Sequence, residues 1–264
     1  MLAAAAVLGA LAVLLAWPVP LLLEGARWTR RRPAAALLLW QAIALAGGLS
    51  MIGALLLAGL APFAPDVWGG LVAVFTGAPV PDFLHVLALA AAVLLTTHLL
   101  LNLALTLVRS ERQRRRHAAL LMLLSTPGAD GSRVLDTPAP VAYCLPGALT
   151  TVTVVSQGLI ELLDDEQMRA VVAHERAHVA QRHDIVLVMF RAWHTSLPWF
   201  PIATRAQREV ALLVELLADD RARRTVEDAA LASAIRSVGA GHGASAALAV
   251  RLARLAPSSE VGHK

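Results

Sequence analysis

Three long uncharged apolar runs fill most of the first 108 residues, and beyond them apolar and polar positions alternate on a shorter scale. The runs cover Leu2–Leu23, Ala34–Leu60 and Phe83–Val108. Each reaches the roughly 20 residues that a helix needs to cross a bilayer. Gln41 interrupts the second run, and His85, His98 and Asn102 interrupt the third. The first run is read as a retained span. It exceeds the usual apolar length of a secretory signal, and its first basic residue, Arg27, comes after it instead of before it. His98 and Asn102 lie one helical turn apart, and an interhelical hydrogen bond is the favoured reading of the pair.

The pattern changes at His117. Ala118–Leu124 reads as a helical extension, and Ser125–Ser132, with Pro127, Gly128 and Gly131, as a loop. Val141–Leu145 and Leu149–Ser156 read as strands either side of Pro146-Gly147, the second rich in threonine and valine. A helix is predicted from Asp164. Asp164 can cap it with Gln167 three residues on, Asp165 and Glu166 suit the positive end of its dipole, and Met168, Val171, Val172 and Val179 supply an apolar face. The expected fold is mainly α: a three-helix transmembrane bundle over residues 1–109, then an α+β domain over 110–264 with a short β-sheet.

Composition and charge sharpen this picture. The chain is 57% hydrophobic and 16% charged, with a mean hydropathy of +0.63. An ordinary soluble domain is about 25% charged, so a disordered chain is excluded and a wholly soluble one disfavoured. Of 23 basic residues, 22 are arginine, and Lys264 is the one lysine. Arg27, Arg30, Arg31 and Arg32 follow the first run, and Arg109, Arg112, Arg114, Arg115 and Arg116 follow the third. The connection Ala61–Asp82 has no basic residue. The positive-inside bias then places the first loop and everything after Arg109 in the cytoplasm, with the N-terminus outside. These clusters sit beside apolar runs without interleaved aromatics, so no direct nucleic-acid partner is expected. The lone Cys144 permits no internal disulfide and no multi-cysteine zinc site, and it reads as a buried small residue.

Candidate chemistry centres on His174-Glu175-Arg176-Ala177-His178. Two histidines four apart share one helix face and can bind one metal ion, while Glu175 can reach a water on that ion. A catalytic zinc needs a third protein ligand. Glu215 lies 37 positions beyond His178, with Asp219 one turn further on. Glu215 is the candidate third ligand, and Asp219 can orient a ligating imidazole. His183 and Asp184 read as the end of the motif helix, His194 as packed or interfacial, and His242 and His263 as residues of glycine-rich or tail-like sequence. An arginine or His183 is the candidate oxyanion stabiliser.

Ile185–Thr204 is apolar enough to be mistaken for a fourth span, but one crossing there would put Glu215 and His178 on opposite sides of the membrane. The segment is therefore read as an amphipathic or re-entrant helix or a tight hairpin. Arg191, His194, Pro198 and Pro201 also argue against a plain span. Asp228–Leu255, interrupted by Arg236, Gly239, Gly241 and Gly243, is likewise not a span.

An H-E-x-x-H followed by E-x-x-x-D marks the gluzincin type of metallopeptidase. The stretch Val154–Asp184 (VVSQGLIELLDDEQMRAVVAHERAHVAQRHD), Trp199-Phe200-Pro201 and Val214–Asp220 (VELLADD) resemble the antirepressor peptidases related to the BlaR/MecR-type beta-lactam sensor–transducers. The chain lacks their extracellular sensor domain and is similar to short members of that family. The resemblance implies a bacterial multi-pass plasma-membrane protein with one zinc ion held by His174, His178 and Glu215, Glu175 as the base and Asp219 in support. The implied partners are the lipid bilayer and a protein substrate, such as a transcriptional repressor. Two alternatives stand beside it: a membrane quality-control protease of the HtpX or CAAX-protease type, and a non-catalytic zinc-binding scaffold. If the chain is a peptidase, the strand at Leu149–Ser156 is expected to offer an edge to an extended substrate.

Overall fold

The computed structural model describes residues 1–79, 82–128, 131–146, 151–196, 201–240 and 245–256. Gly147, Leu149, Thr150, Pro198, Trp199, Phe200, Gly241, His242, Gly243 and His263 lie outside them. The chain forms two compact units: Met1–Val108 with Val188–Val210, and Arg109–Leu187 with Ala211–Lys264.

The first unit is helical. Helices α1 (Leu2–Ala16) and α2 (Pro18–Glu24) divide the first apolar run. The break falls at Trp17, because proline lacks an N–H and disfavours helical backbone in the residue before it. A short α3 (Arg27–Arg31) leads to α4 (Pro33–Leu60). In the connection read without structure, Asp66 caps α5 (Val67–Phe75) by accepting a hydrogen bond from the Gly69 N–H at 2.8 Å. Helix α6 runs unbroken from Phe83 to Leu124. Among the described residues, three helical stretches are long and apolar enough to cross a membrane: Leu2–Glu24, Pro33–Leu60 and Phe83–Leu124.

Residues 188–210 join this unit as parts of α9 (His183–Ser196) and α10 (Pro201–Ala222). Asn102 donates to the Ala192 carbonyl at 2.7 Å and to the Ser196 hydroxyl at 2.7 Å, while His98 Nε2 lies 3.2 Å from the Ser196 carbonyl oxygen. The polar pair on α6 is thus engaged in interhelical bonds. Trp193 is seated on Gly48: a Cβ added there would lie 2.6 Å from its ring.

The second unit holds a small mixed sheet. Its strands are β1 (Ser125–Pro127), β2 (Arg133–Leu135), β3 (Ala142–Pro146) and β4 (Thr151–Ser156), in the order β1-β2-β4-β3. Two expectations are corrected here. Ser125–Pro127 is an edge strand antiparallel to β2 and not a loop. Proline is tolerated there because an edge strand need not donate on both sides. Second, β4 lies inside the strand order, antiparallel to β3 and, over Val154–Ser156, parallel to β2, so the edge it leaves on the β2 side is confined to Thr151–Thr153 among the described residues. The unpaired edge on the other side belongs to β3. Cys144 on β3 is half-buried, with its sulfur 3.7 Å from the Thr153 hydroxyl.

Helices α7 (Gln157–Leu162) and α8 (Asp165–Ala180) follow β4. Gly158 is required at the start of α7, since a Cβ would meet the Pro138 carbonyl oxygen at 2.0 Å. Val155, Leu159 and Leu163 form one core cluster, against which Met168 and Val171 of α8 pack. Helices α11 (Asp228–Ala240) and α12 (Ala246–Leu255) close a second cluster that includes Ala170, Ala222, Leu231, Ile235 and Leu255.

Candidate metal centre

Helix α8 starts where its capping residues dictate. The Asp164 side chain accepts from the Gln167 N–H at 2.8 Å, and the Gln167 side chain accepts from the Asp164 N–H at 3.1 Å. His174 and His178 follow on the same helix, ten and fourteen residues on. Their Nε2 atoms are 3.1 Å apart. Helix α10 brings the third group: oxygens of Glu215 lie 3.3 Å from His174 Nε2 and 3.5 Å from His178 Nε2. These three residues form the cluster that can hold a metal ion.

The spacing tests the fit. Donors each about 2.0–2.1 Å from one tetrahedral zinc stand about 3.3 Å from one another. The imidazole nitrogens stand 3.1 Å apart, Glu215 approaches them at 3.3 and 3.5 Å through its two different oxygens, and one ligand atom from each of the three residues lies within 4.8 Å of the others, so the side chains already converge on the scale of one ion. Two imidazole nitrogens and a carboxylate oxygen are also a donor set suited to zinc.

Both rings are backed on their other nitrogen. His174 Nδ1 is buried, with Asp219 Oδ1 2.9 Å away but too oblique for a straight hydrogen bond. A small rotation of the ring would close that bond. His178 Nδ1 meets His183 Nδ1 at 3.0 Å. His183 returns to that position because Arg182, between α8 and α9, takes a positive φ of 51° and turns the chain sharply. His183 therefore supports a ligand ring and is not among the residues lining the cavity.

Sequence reasoning missed Arg251, on α12. Its Nε and Nη2 each donate to Asp219 at 2.8 Å, and its Nη1 lies 2.9 Å from Glu215. One guanidinium thus ties the third ligand to the carboxylate behind the first. The only sequence signal was an arginine one turn before Arg254 on an amphipathic helix, a pattern that solvated faces share. Arg254 pairs with Asp220 at 3.0 Å.

The electrostatics follow from burial and these contacts. Burial opposes charge on His174, but the carboxylates of Asp219 and Glu215 outweigh it and raise its pKa to about 9. Burial, with the charge on His174, lowers His178 to about 4. Burial raises the carboxyl of Glu175, with the charge on His174 opposing. For Glu215 and Asp219 burial also works upward, and the close contacts and charges of His174 and Arg251 carry both below the ordinary carboxylate range. Two facing ring nitrogens at 3.1 Å cannot both carry a proton. Such a pair shares one proton or one cation.

The triad opens on a cavity of about 370 Å³, lined on one side by Pro140 and Ala142, next to and within β3, and on the other by Glu175, Arg251 and the apolar side chains of α11 and α12. Among the described residues, Glu175 makes no hydrogen bond or ion pair, although it stands on the cavity wall beside the triad. His194 belongs to the first unit, with its Nδ1 3.4 Å from the Thr204 hydroxyl.

Residues 109–213 match the model of Peptidase family M48, a metallopeptidase family. The match takes in His174, Glu175 and His178 and ends just before Glu215. No curated protein and no solved structure matches the chain.

Proposed function

We propose that the chain is a membrane-embedded zinc endopeptidase in which His174, His178 and Glu215 ligate one ion and Glu175 is the general base. The observation that carries this reading is the convergence of two imidazoles and one carboxylate from two helices, one ligand atom of each within 4.8 Å of the others, with an unpaired carboxylate beside them. A purely structural zinc site usually closes with a fourth protein ligand, and among the described residues the cluster has three.

A zinc ion held there would polarise a scissile carbonyl and acidify a water molecule. Glu175 accepts the proton of the attacking water and passes it to the leaving amine. Asp219 and His183 hold the two imidazoles in orientation from behind. Arg251 holds Asp219 and Glu215 in register and presents positive charge to the cavity, which makes it the arginine available to stabilise an oxyanion. The free edge of β3 can accept an extended peptide by main-chain hydrogen bonds, giving affinity with little sequence selectivity.

Arginine placement supports a cytoplasmic catalytic unit in a multi-pass bacterial plasma-membrane protein, with the N-terminus outside. The substrate is then a cytoplasmic or membrane-proximal protein. Cleavage of a transcriptional repressor in BlaR/MecR-type signalling is the reading the sequence resemblance supports, and membrane quality control is the alternative.

The test is proteolysis by the full chain in membranes, with the zinc content of the same sample measured. Glu175→Gln is expected to lower turnover by about 10²–10⁴-fold while zinc stays at one per chain. Zinc retained with cleavage undiminished would remove Glu175 as the base. Zinc retained with no cleavage of any offered protein by the unmodified chain would favour the scaffold reading.

A further inference from the structure

The first unit contains a cavity of about 320 Å³, within the range of about 300–1,000 Å³ typical of small-ligand sites. Its wall includes Ala16 of α1, Ala44 and Gly47 of α4, and Ala203 and Ala206 of α10. In membrane proteins, small residues normally line helix contacts because they let backbones approach. Here they face a space instead, and Trp40, Phe190 and Trp193 supply its aromatic walls. A void lined this way forfeits packing unless something apolar fills it.

One end of the space carries charge. Pro20 and Ala206 border it. Arg205, next to Ala206, pairs with Glu24 at 3.2 Å, and Glu24, Arg30 and Arg208 all interact electrostatically with Glu209. Arg27, Arg31 and Arg32 lie in the same short stretch as Arg30 and are exposed. Arg30, Arg205 and Arg208 outnumber Glu24 and Glu209 in this group, and Arg27, Arg31 and Arg32 add positive charge to the segment that carries Arg30. A ligand that fits has an apolar tail and an anionic head.

We infer that the cavity is a binding site for an anionic phospholipid, with an acyl chain between α1, α4 and α10 and its phosphate at the Arg30–Arg205 end. The helix that closes the cavity with Ala203 and Ala206 is the one that carries Glu215 and Asp219. The inference rests on the first unit alone and stands whether or not the metal centre is catalytic.

Trp40 makes the test specific. It is 2% exposed, so acyl chains of the surrounding bilayer cannot reach it, and a chain in the cavity can. The full chain is reconstituted in phosphatidylcholine vesicles with a few mole per cent of phosphatidylglycerol bearing brominated acyl chains. Trp40→Phe is measured in parallel, so that the emission of Trp40 is obtained by difference. Brominated phosphatidylglycerol is expected to quench Trp40 at least five times more per mole than brominated phosphatidylcholine. Ala44→Leu with Ala206→Leu, which fills the space, should restore the emission. Arg30→Gln with Arg205→Gln should abolish the preference for the anionic lipid and leave the acyl-chain quenching. Unquenched Trp40 in the unmodified chain overturns the site, and would mean that protein, from this chain or a second copy, occupies the space. Equal quenching by the two lipids overturns the headgroup assignment.

Discussion

The two units differ most in the large apolar side chains they leave outside. In the second, large aliphatic side chains are inside: Leu213 is 1% exposed, and Leu216 and Leu231 are as deeply buried. In the first, Ala36 is fully buried while Leu22 is 77% exposed, and Leu38, Leu49 and Leu94 also face outward. The second pattern is what water selects, because burying large apolar groups is its main driving force. The first is what lipid selects. Hydrocarbon is as apolar as leucine, so nothing drives leucine inward, and small residues win the interior by letting helices approach. A charged, densely paired site is built in the second unit, while within the long apolar helices of the first the polar groups make interhelical bonds such as those of Asn102.

The largest test of this contrast sets one leucine against another. Leu213→Ala is expected to cost the second unit about 2–5 kcal/mol, the range for emptying a well-packed core position. Leu22→Ala should cost the first unit less than about 0.5 kcal/mol, since an exposed position touching no special feature changes little. Hydrogen exchange of the two units, followed by mass spectrometry in the same lipid sample, reads both. A comparable cost at the two positions would mean that the first unit is not packed for an apolar surrounding.

The same contrast explains what could be read from the sequence. Apolar runs need only composition, so the three long helices were visible. Their interruption at Trp17 was also written in Pro18, but hydropathy averages over it. The candidate triad was legible as a cluster because helical periodicity puts His174 and His178 on one face and Glu215 with Asp219 on another. Asp164 was legible as a cap because capping is local chemistry. Strand order was not. Thr151–Ser156 looks like any strand, and its interior place in the sheet depends on β2, three residues long and without a pattern of its own. Arg251 was hidden for a related reason. Its partners lie more than 30 positions away, and no spacing rule links an arginine on the last helix to Asp219.

A smaller effect concerns how tightly the candidate triad of the second unit would hold a zinc ion. Groups behind a ligating histidine typically contribute about 10–100-fold in metal affinity. Asp219→Asn and Arg251→Gln should each weaken zinc binding by that factor, measured by competition with a chromogenic chelator. Because Arg251 acts on the site through Asp219 and Glu215, the double variant should lose clearly less than the product of the two single losses. Multiplicative losses would show that the guanidinium and the carboxylate act independently, and the fork would then be packing and not positioning.

The smallest effect lies at the start of the helix that carries the motif. Asp164→Ala removes one half of the capping box and frees the Gln167 N–H, which should cost about 1 kcal/mol. That loss should appear as faster exchange of the first turn of α8, while His174 and His178, more than two turns further on and buried against α10, keep their spacing. Zinc affinity should then stay within about a factor of two, since capping effects are confined to the helix end. If affinity falls together with the first turn, the box is setting the register of the ligands, and the metal centre of the second unit depends on a single surface hydrogen bond. The first unit, whose candidate membrane-spanning helices show no side-chain cap among the described residues, would then be the less locally determined of the two.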